Sequence, residues 1–359
     1  MAAAIAPHAT ARRRAPIACL ATAIALLTIV PQHAHAAGLE GIPSFTHVFV
    51  LILENENASS TWGSTSVAHY LNSLVPQGVF DEGYYATGHA SLDNYIAMTS
   101  GQPDQPLTGS DCLAVNLWTC VQPQSLMAGG RNIGDQLESA GISWTGYMDG
   151  MPSACFHADY GRTAPPSDPY QGDSQQPPAK DYADRHNPFI YYPDIVENGA
   201  RCRAHVRPFT DLASDIATNA VPRFGFITPD SCHDGHDSVC SDGQPGGLVS
   251  ADKWLSQNLP PLLSYLSTHD GLLIVTTDEN GFVDSSGDAG CCSGGSAGVA
   301  PGFGGRVGLL ALSPRLTAGR VVSTQYDHMS LLRTLEDAFG VTEYLNNAAQ
   351  AHAMSDVLA

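Results

Sequence analysis

Three apolar runs in this chain are each followed at once by acids. "VFVLIL" leads into Glu54 and Asn55, "FGFITP" into Asp230 of "DSCHDGHD", and "LLIVTT" into Asp278, Glu279 and Asn280. Carboxylates that converge without a cation repel and raise one another's pKa, so convergence implies a bound divalent ion. "DSCHDGHD" adds His233, Asp234, His236 and Asp237 around Gly235, a mix of oxygen and imidazole donors on short arms. His328, beside Asp327 at the start of a late amphipathic stretch, is a further candidate ligand. Taken singly, each group has an ordinary alternative as a strand-end turn, a helix cap or an acidic surface loop. His69, His157, His186 and His205 have no comparable surroundings and read as structural or exposed.

A nucleophile is offered by "GHASLDNYIAMTSG", residues 88–101, where Ser91 joins a small-residue turn to an amphipathic segment. A serine at a helix start can cap the helix, present its hydroxyl to a substrate, or do both. His89 and Asn94 flank it and are candidates for holding a substrate oxygen.

These residues need a scaffold that brings strand ends together. "THVFVLIL" (46–53), "RFGFIT" (223–228), "GLLIVTTD" (271–278) and "RVGLLALS" (306–313) are continuous apolar runs, expected of strands buried on both faces. Helical patterns lie between and after them, at 132–141, 251–269 and 327–340, the last ending at Gly340. The alternation predicts an α/β fold, a three-layer sandwich around a mostly parallel central sheet. In such sheets ligands bind beyond the carboxyl ends of the strands, where the acids fall. Two stretches, about 150–205 and 284–305, are rich in proline, glycine and polar residues and read as loop insertions in one domain.

The chain opens with three arginines, an apolar run and the small-residue pattern "HAHAAG", the layout of a secretory signal peptide over 1–36. The remainder, 37–359, is then a single exported domain, secreted or periplasmic, without a stable membrane anchor. Loss of Arg12, Arg13 and Arg14 takes the formal charge from −19 to −22, which argues against nucleic acid as a partner. Eight cysteines remain, an even number that suits disulfides in an exported chain. Cys112 with Cys120, Cys232 with Cys240 and Cys155 with Cys202 are the simplest pairs. Adjacent Cys291 and Cys292 either bridge each other or pair elsewhere. A zinc–thiolate site is the alternative, but no paired C-x-x-C spacing supports it.

Considered together and in order, "VFVLILEN", "GHASLDNYIAMTSG", "ITPDSCHDGHD", "IVTTDENG" and "YDHMSLLRTLEDAFG" give a chain that resembles the secreted phosphoesterases. That family contains acid phosphatases and bacterial phospholipases C, within the alkaline-phosphatase-like superfamily. The resemblance spans roughly 44–340. It implies a metal-dependent hydrolase of small phosphorylated substrates, with Ser91 as nucleophile and a phosphoseryl intermediate. It assigns Glu54, Asn55, Asp278 and Glu279 to one divalent metal (Ca, Zn, Mg or Mn), and Asp230, His233, His236 and His328 to a second. Two departures, "ENENASSTWG" after the first strand and the shorter chain, favour the phosphomonoesterase branch over phospholipase C or phosphodiesterase. "SLDNY" lacks the C/S-x-P-x-R run of sulfatases, and a non-catalytic calcium-binding protein is the rival outside enzymes.

Overall fold

Apolar, β-branched runs form the middle of the molecule. The computed structural model describes residues 1–3, 38–111, 131–158, 171–172, 181–281, 291–292 and 304–359. Its strands are β1 (His47–Leu53), β2 (Val79–Asp81), β3 (Tyr84–Tyr85), β4 (Trp144–Met148), β5 (His157–Ala158) and β6 (Gln171–Gly172). Then follow β7 (Val206–Pro208), β8 (Phe224–Thr228), β9 (Gly271–Thr277), β10 (Leu309–Leu312), β11 (Arg320–Val322) and β12 (Tyr326–Asp327). The main sheet runs β11-β2-β10-β9-β1-β8-β4-β7. β1 pairs in parallel with both β8 and β9, and β10 alone turns antiparallel to its neighbours β9 and β2.

The register explains why the acids meet. Leu53 lies opposite Thr277, and Leu51 lies opposite Ile227, so the carboxyl ends of β9, β1 and β8 form one edge. Glu54 leaves the central strand of the three, with Asp278 on one side and the Asp230 loop on the other.

Alternation along β1 sorts its side chains between two layers. Val48, Val50 and Ile52 pack with Ile96, Leu331 and Leu335, from the helices Ser91–Ser100 and His328–Ala338. Phe49, Leu51 and Leu53 pack with Leu255, Leu259 and Leu262 of the long helix Gly247–Thr268. The sheet is covered on both faces, which is the three-layer arrangement predicted from the sequence. Gly340 has φ +71°, a left-handed turn beyond the last long helix that stops it there.

Cys155–Cys202, Cys232–Cys240 and Cys291–Cys292 are bridged. The Cys112/Cys120 pair, the signal peptide and most of the 284–305 loop lie outside the described residues. Of the 150–205 insertion, the described end is no loose loop. Residues 184–186, 188–191, 193–196 and 199–205 form successive helical turns, with Phe189, Ile190, Tyr191, Tyr192 and Ile195 fully buried. No described helix is long and apolar enough to cross a membrane.

Candidate active site

Glu54 is the hub. It is fully buried at the end of β1, and its main-chain N–H donates to the Asp234 carbonyl at 2.9 Å. On the β9 side, Asp278 Oδ1 accepts from the N–H groups of Asn55 and Glu279. Asn55 adopts a left-handed backbone (φ +55°), which turns the chain sharply after the strand. Ligand-capable atoms of Glu54, Asp278 and Glu279 all lie within 4.8 Å of one another. Burial pushes Asp278 well above the usual carboxylate range, reinforced by the charges of Glu54 and Glu279. Glu279 is pushed up to about 9 by burial and by Glu54 and Asp111.

Ser91 is the first residue of its helix, and it does not cap it. The capping position is Ala90, which makes no side-chain bond, while the N–H of Leu92 donates to Asp111 Oδ1 at 2.9 Å. The Ser91 hydroxyl turns instead to Glu54 and donates to its Oε1. One turn further along, the Tyr95 hydroxyl donates to Glu54 Oε2 at 3.2 Å. Both carboxylate oxygens of the hub are thus held from one helix face. His89 stands at the rim, partly exposed, with Nδ1 3.3 Å from Glu279 Oε2.

The insertion contributes a residue that sequence reading set aside. His186 is buried with Nε2 3.2 Å from Glu54 Oε1 and Nδ1 3.1 Å from Asp234 Oδ2, and its ring stacks on Tyr95. Burial would lower its pKa, but Glu54 outweighs that and raises it to about 9. Glu54 in turn is held down at about 2, since the His186 charge and hydrogen bond overcome burial. Asp234, named in the loop but not predicted as a ligand, completes a second cluster with Glu54 and His186 inside 4.8 Å. Gly235 makes this approach possible. Its φ is +113°, and a Cβ there would sit 2.8 Å from the Glu54 carbonyl oxygen.

The donor set fits a cation. Asn55 Oδ1 and Asp278 Oδ2 are buried without an aligned hydrogen-bond partner. Such atoms are costly unless something satisfies them, and the oxygen-rich set of Glu54, Asn55, Asp278 and Glu279 suits a divalent ion.

Four predicted ligands do not join this cluster. Asp230 and His233 face each other and Asp149, with His233 Nδ1 2.8 Å from Asp230 and 2.9 Å from Asp149. Their neighbour Cys232 is in a disulfide and offers no thiolate. His236 lies nearer but has both nitrogens engaged, Nδ1 with Asp237 at 2.7 Å and Nε2 with Arg185 at 3.2 Å. His328 is buried between the Asp278 carbonyl, 2.5 Å from Nε2, and the Tyr84 hydroxyl, 2.9 Å from Nδ1. Burial pushes its pKa down to about 4, so it is neutral and steadies the Asp278 main chain instead of offering a lone pair.

Asn94 is likewise redirected. Its Oδ1 accepts from the N–H groups of Thr87 and Gly88, and its Nδ2 donates to the carbonyls of Gly88 and Ala90. Every polar atom of the side chain shapes the turn before Ser91, leaving none for a substrate.

The fold has relatives among solved structures. A solved protein of the alkaline phosphatase superfamily from Vibrio parahaemolyticus aligns with a TM-score of 0.52, at 14% identity, over 86% of this chain and 71% of that one. The chain belongs to the phosphoesterase family, whose sequence model matches residues 61–342. A probable acid phosphatase of Kluyveromyces lactis is 30% identical over 66% of this chain and 48% of that protein. A phosphatidylinositol-3-phosphatase of Mycobacterium tuberculosis is 26% identical over 70% of this chain and 68% of its own length. The chain spans about half the length of the fungal acid phosphatases it matches.

Proposed function

We propose that this protein is an exported, metal-dependent phosphomonoesterase of acid-phosphatase type with Ser91 as its nucleophile. The observation that carries the reading is the Ser91 hydroxyl, relieved of any capping role and donating to the ionised Glu54 inside a buried carboxylate cluster. The names of its relatives agree, since both an acid phosphatase and a phosphatidylinositol-3-phosphatase remove a phosphate held by one ester bond. A phosphodiesterase or phospholipase C is the competing branch.

Glu54, Asn55, Asp278 and Glu279 would hold a divalent ion, with Asp234 and His186 on the far side of Glu54. Such an ion lowers the pKa of a neighbouring hydroxyl and offsets the charge of a phosphoryl group. The chain's own residues supply orientation. Glu54 Oε1 takes the hydroxyl hydrogen, which leaves the Ser91 Oγ lone pairs directed away from the carboxylate. The Oγ–phosphorus bond forms as the ester P–O bond breaks, and the hydroxyl proton passes by way of Glu54 to the departing ester oxygen, which leaves as the alcohol. Water then attacks the phosphoserine, breaking its Oγ–phosphorus bond to give inorganic phosphate and restoring the Ser91 hydroxyl.

Ser91→Ala should abolish turnover of p-nitrophenyl phosphate while leaving the circular-dichroism spectrum and melting temperature near wild type. Acid quenching of the wild type during turnover should trap phosphate on Ser91. Undiminished turnover by the alanine variant would overturn the assignment.

A further inference from the structure

We propose that Arg185 binds the doubly charged phosphoryl group of the substrate, and that His236 and Asp237 hold its guanidinium in place. The proposal rests on the phosphoesterase reading and adds a determinant of monoester preference to it.

A phosphate approaching this site meets Glu54, Asp234, Asp278, Glu279 and Asp111, in a chain with 35 acids against 16 lysines and arginines. Charge opposite to the substrate must therefore be local. Arg185 lies in the short turn Asp184–His186, next to the residue that reaches Glu54, and it is partly exposed where His186 is buried. Its neighbour His186 lies 3.2 Å from Glu54 and 3.1 Å from Asp234, and its own guanidinium meets His236, whose ring lies beside that of His186, so Arg185 borders the acid cluster.

One of its contacts comes from the loop that the sequence marked for metal. Arg185 Nη2 donates to His236 Nε2 at 3.2 Å, which leaves the hydrogen of that imidazole on Nδ1, donated to Asp237 Oδ1 at 2.7 Å. The His236 ring stands 6.0 Å from the His186 ring. A guanidinium is a planar fork of N–H donors that matches two phosphate oxygens, and the bond to His236 helps to hold that fork. A monoester dianion offers two charges to it and a diester only one. Arg185 thereby favours monoesters, and His236 is a positioning residue.

The test uses the full chain with p-nitrophenyl phosphate, bis(p-nitrophenyl) phosphate and inorganic phosphate as competitor. Arg185→Gln should raise the phosphate Ki and the monoester KM by about 30- to 100-fold, the scale of a charge-assisted hydrogen-bonded pair. Diester hydrolysis should fall by only about five- to tenfold, the square root of the monoester effect, since one charge instead of two is at stake. His236→Leu should raise the monoester KM by roughly tenfold with kcat little altered, and His236→Gln, which restores an acceptor for Arg185, should recover most of it. Should Arg185→Gln fail to fold, Arg185→Lys decides, with a phosphate Ki expected about fivefold above wild type. An unchanged phosphate Ki in the variant that folds overturns the role of Arg185. If the wild type hydrolyses neither ester, the phosphoesterase reading itself fails.

Discussion

Tyr95 donates its phenol hydrogen to Glu54 Oε2 at 3.2 Å, one helical turn beyond the serine that donates to Oε1 of the same carboxylate. Both oxygens of the hub are thereby oriented from one helix face, and the Tyr95 ring also stacks on His186 with 5.5 Å between centroids. Tyr95→Phe keeps the stack and removes one bond to a charged group. It should lower kcat for p-nitrophenyl phosphate by roughly tenfold, in line with about 1.5 kcal/mol for such a bond. An unchanged kcat would reduce Tyr95 to packing.

Cation removal should affect stability as well as rate. Dialysis against a chelator is expected to abolish turnover and lower the melting temperature by several degrees, since a ligand that binds only the folded state stabilises it. Asp278→Asn should lose most of the thermal response to added divalent ion. A chelated protein with undiminished activity and melting temperature would remove the metal from the proposal.

Away from the site, Asp81 sets a pH dependence of stability. It is fully buried, with Oδ1 accepting from Gly83 N–H and Oδ2 unpartnered, and burial pushes its pKa up to about 7. The folded state therefore binds a proton that the unfolded chain releases near pH 4. This contribution is complete below about pH 4 and is lost as the pH rises through 7. Glu336, also raised to about 7 by burial, acts in the same direction. Unfolding free energy from urea titrations should fall between about pH 4 and 7. Asp81→Asn should flatten part of that slope and gain about 1–2 kcal/mol at pH 8. A slope unaffected by the substitution would contradict the assignment.

The Cys155–Cys202 bridge ties together the two ends of the insertion that carries His186. Replacing both cysteines with alanine should cost about 2–4 kcal/mol in urea unfolding. Activity should fall with it, because the Glu54–His186–Asp234 contacts depend on where that segment packs. Wild-type stability in the double variant would show that the bridge constrains nothing.

The scaffold was legible because it follows from local pattern. β1, β8 and β9 are short, unbroken apolar runs that only a doubly covered parallel sheet can bury, and a parallel sheet aligns their carboxyl ends. Convergence of Glu54, Asn55, Asp278 and Glu279 therefore follows from the order of residues along the chain, whereas the approach of Ser91 to them was implied by the family resemblance. His186 could not be reached that way, because it lies in a polar, proline-rich stretch with no period. The nearest signal was the dense "NPFIYYPDIV" that follows it, a run whose burial anchors the neighbouring histidine.

The direction each side chain takes was left to tertiary structure. "DSCHDGHD" identifies a loop of donors at a strand end, yet spacing alone does not tell which ring faces the cluster. Asp149, at the end of the adjoining strand β4, draws His233 away, while Arg185 occupies His236 and leaves Asp234 as the loop residue that joins Glu54 and His186. His328 was recognisable as a helix-start histidine, but only packing against Tyr84 and the Asp278 carbonyl engages both of its nitrogens. Sequence periodicity places backbones, since burial of apolar faces dominates their energy. Hydrogen-bond partners supplied by distant segments decide where a polar side chain turns, and those partners meet only in the folded chain.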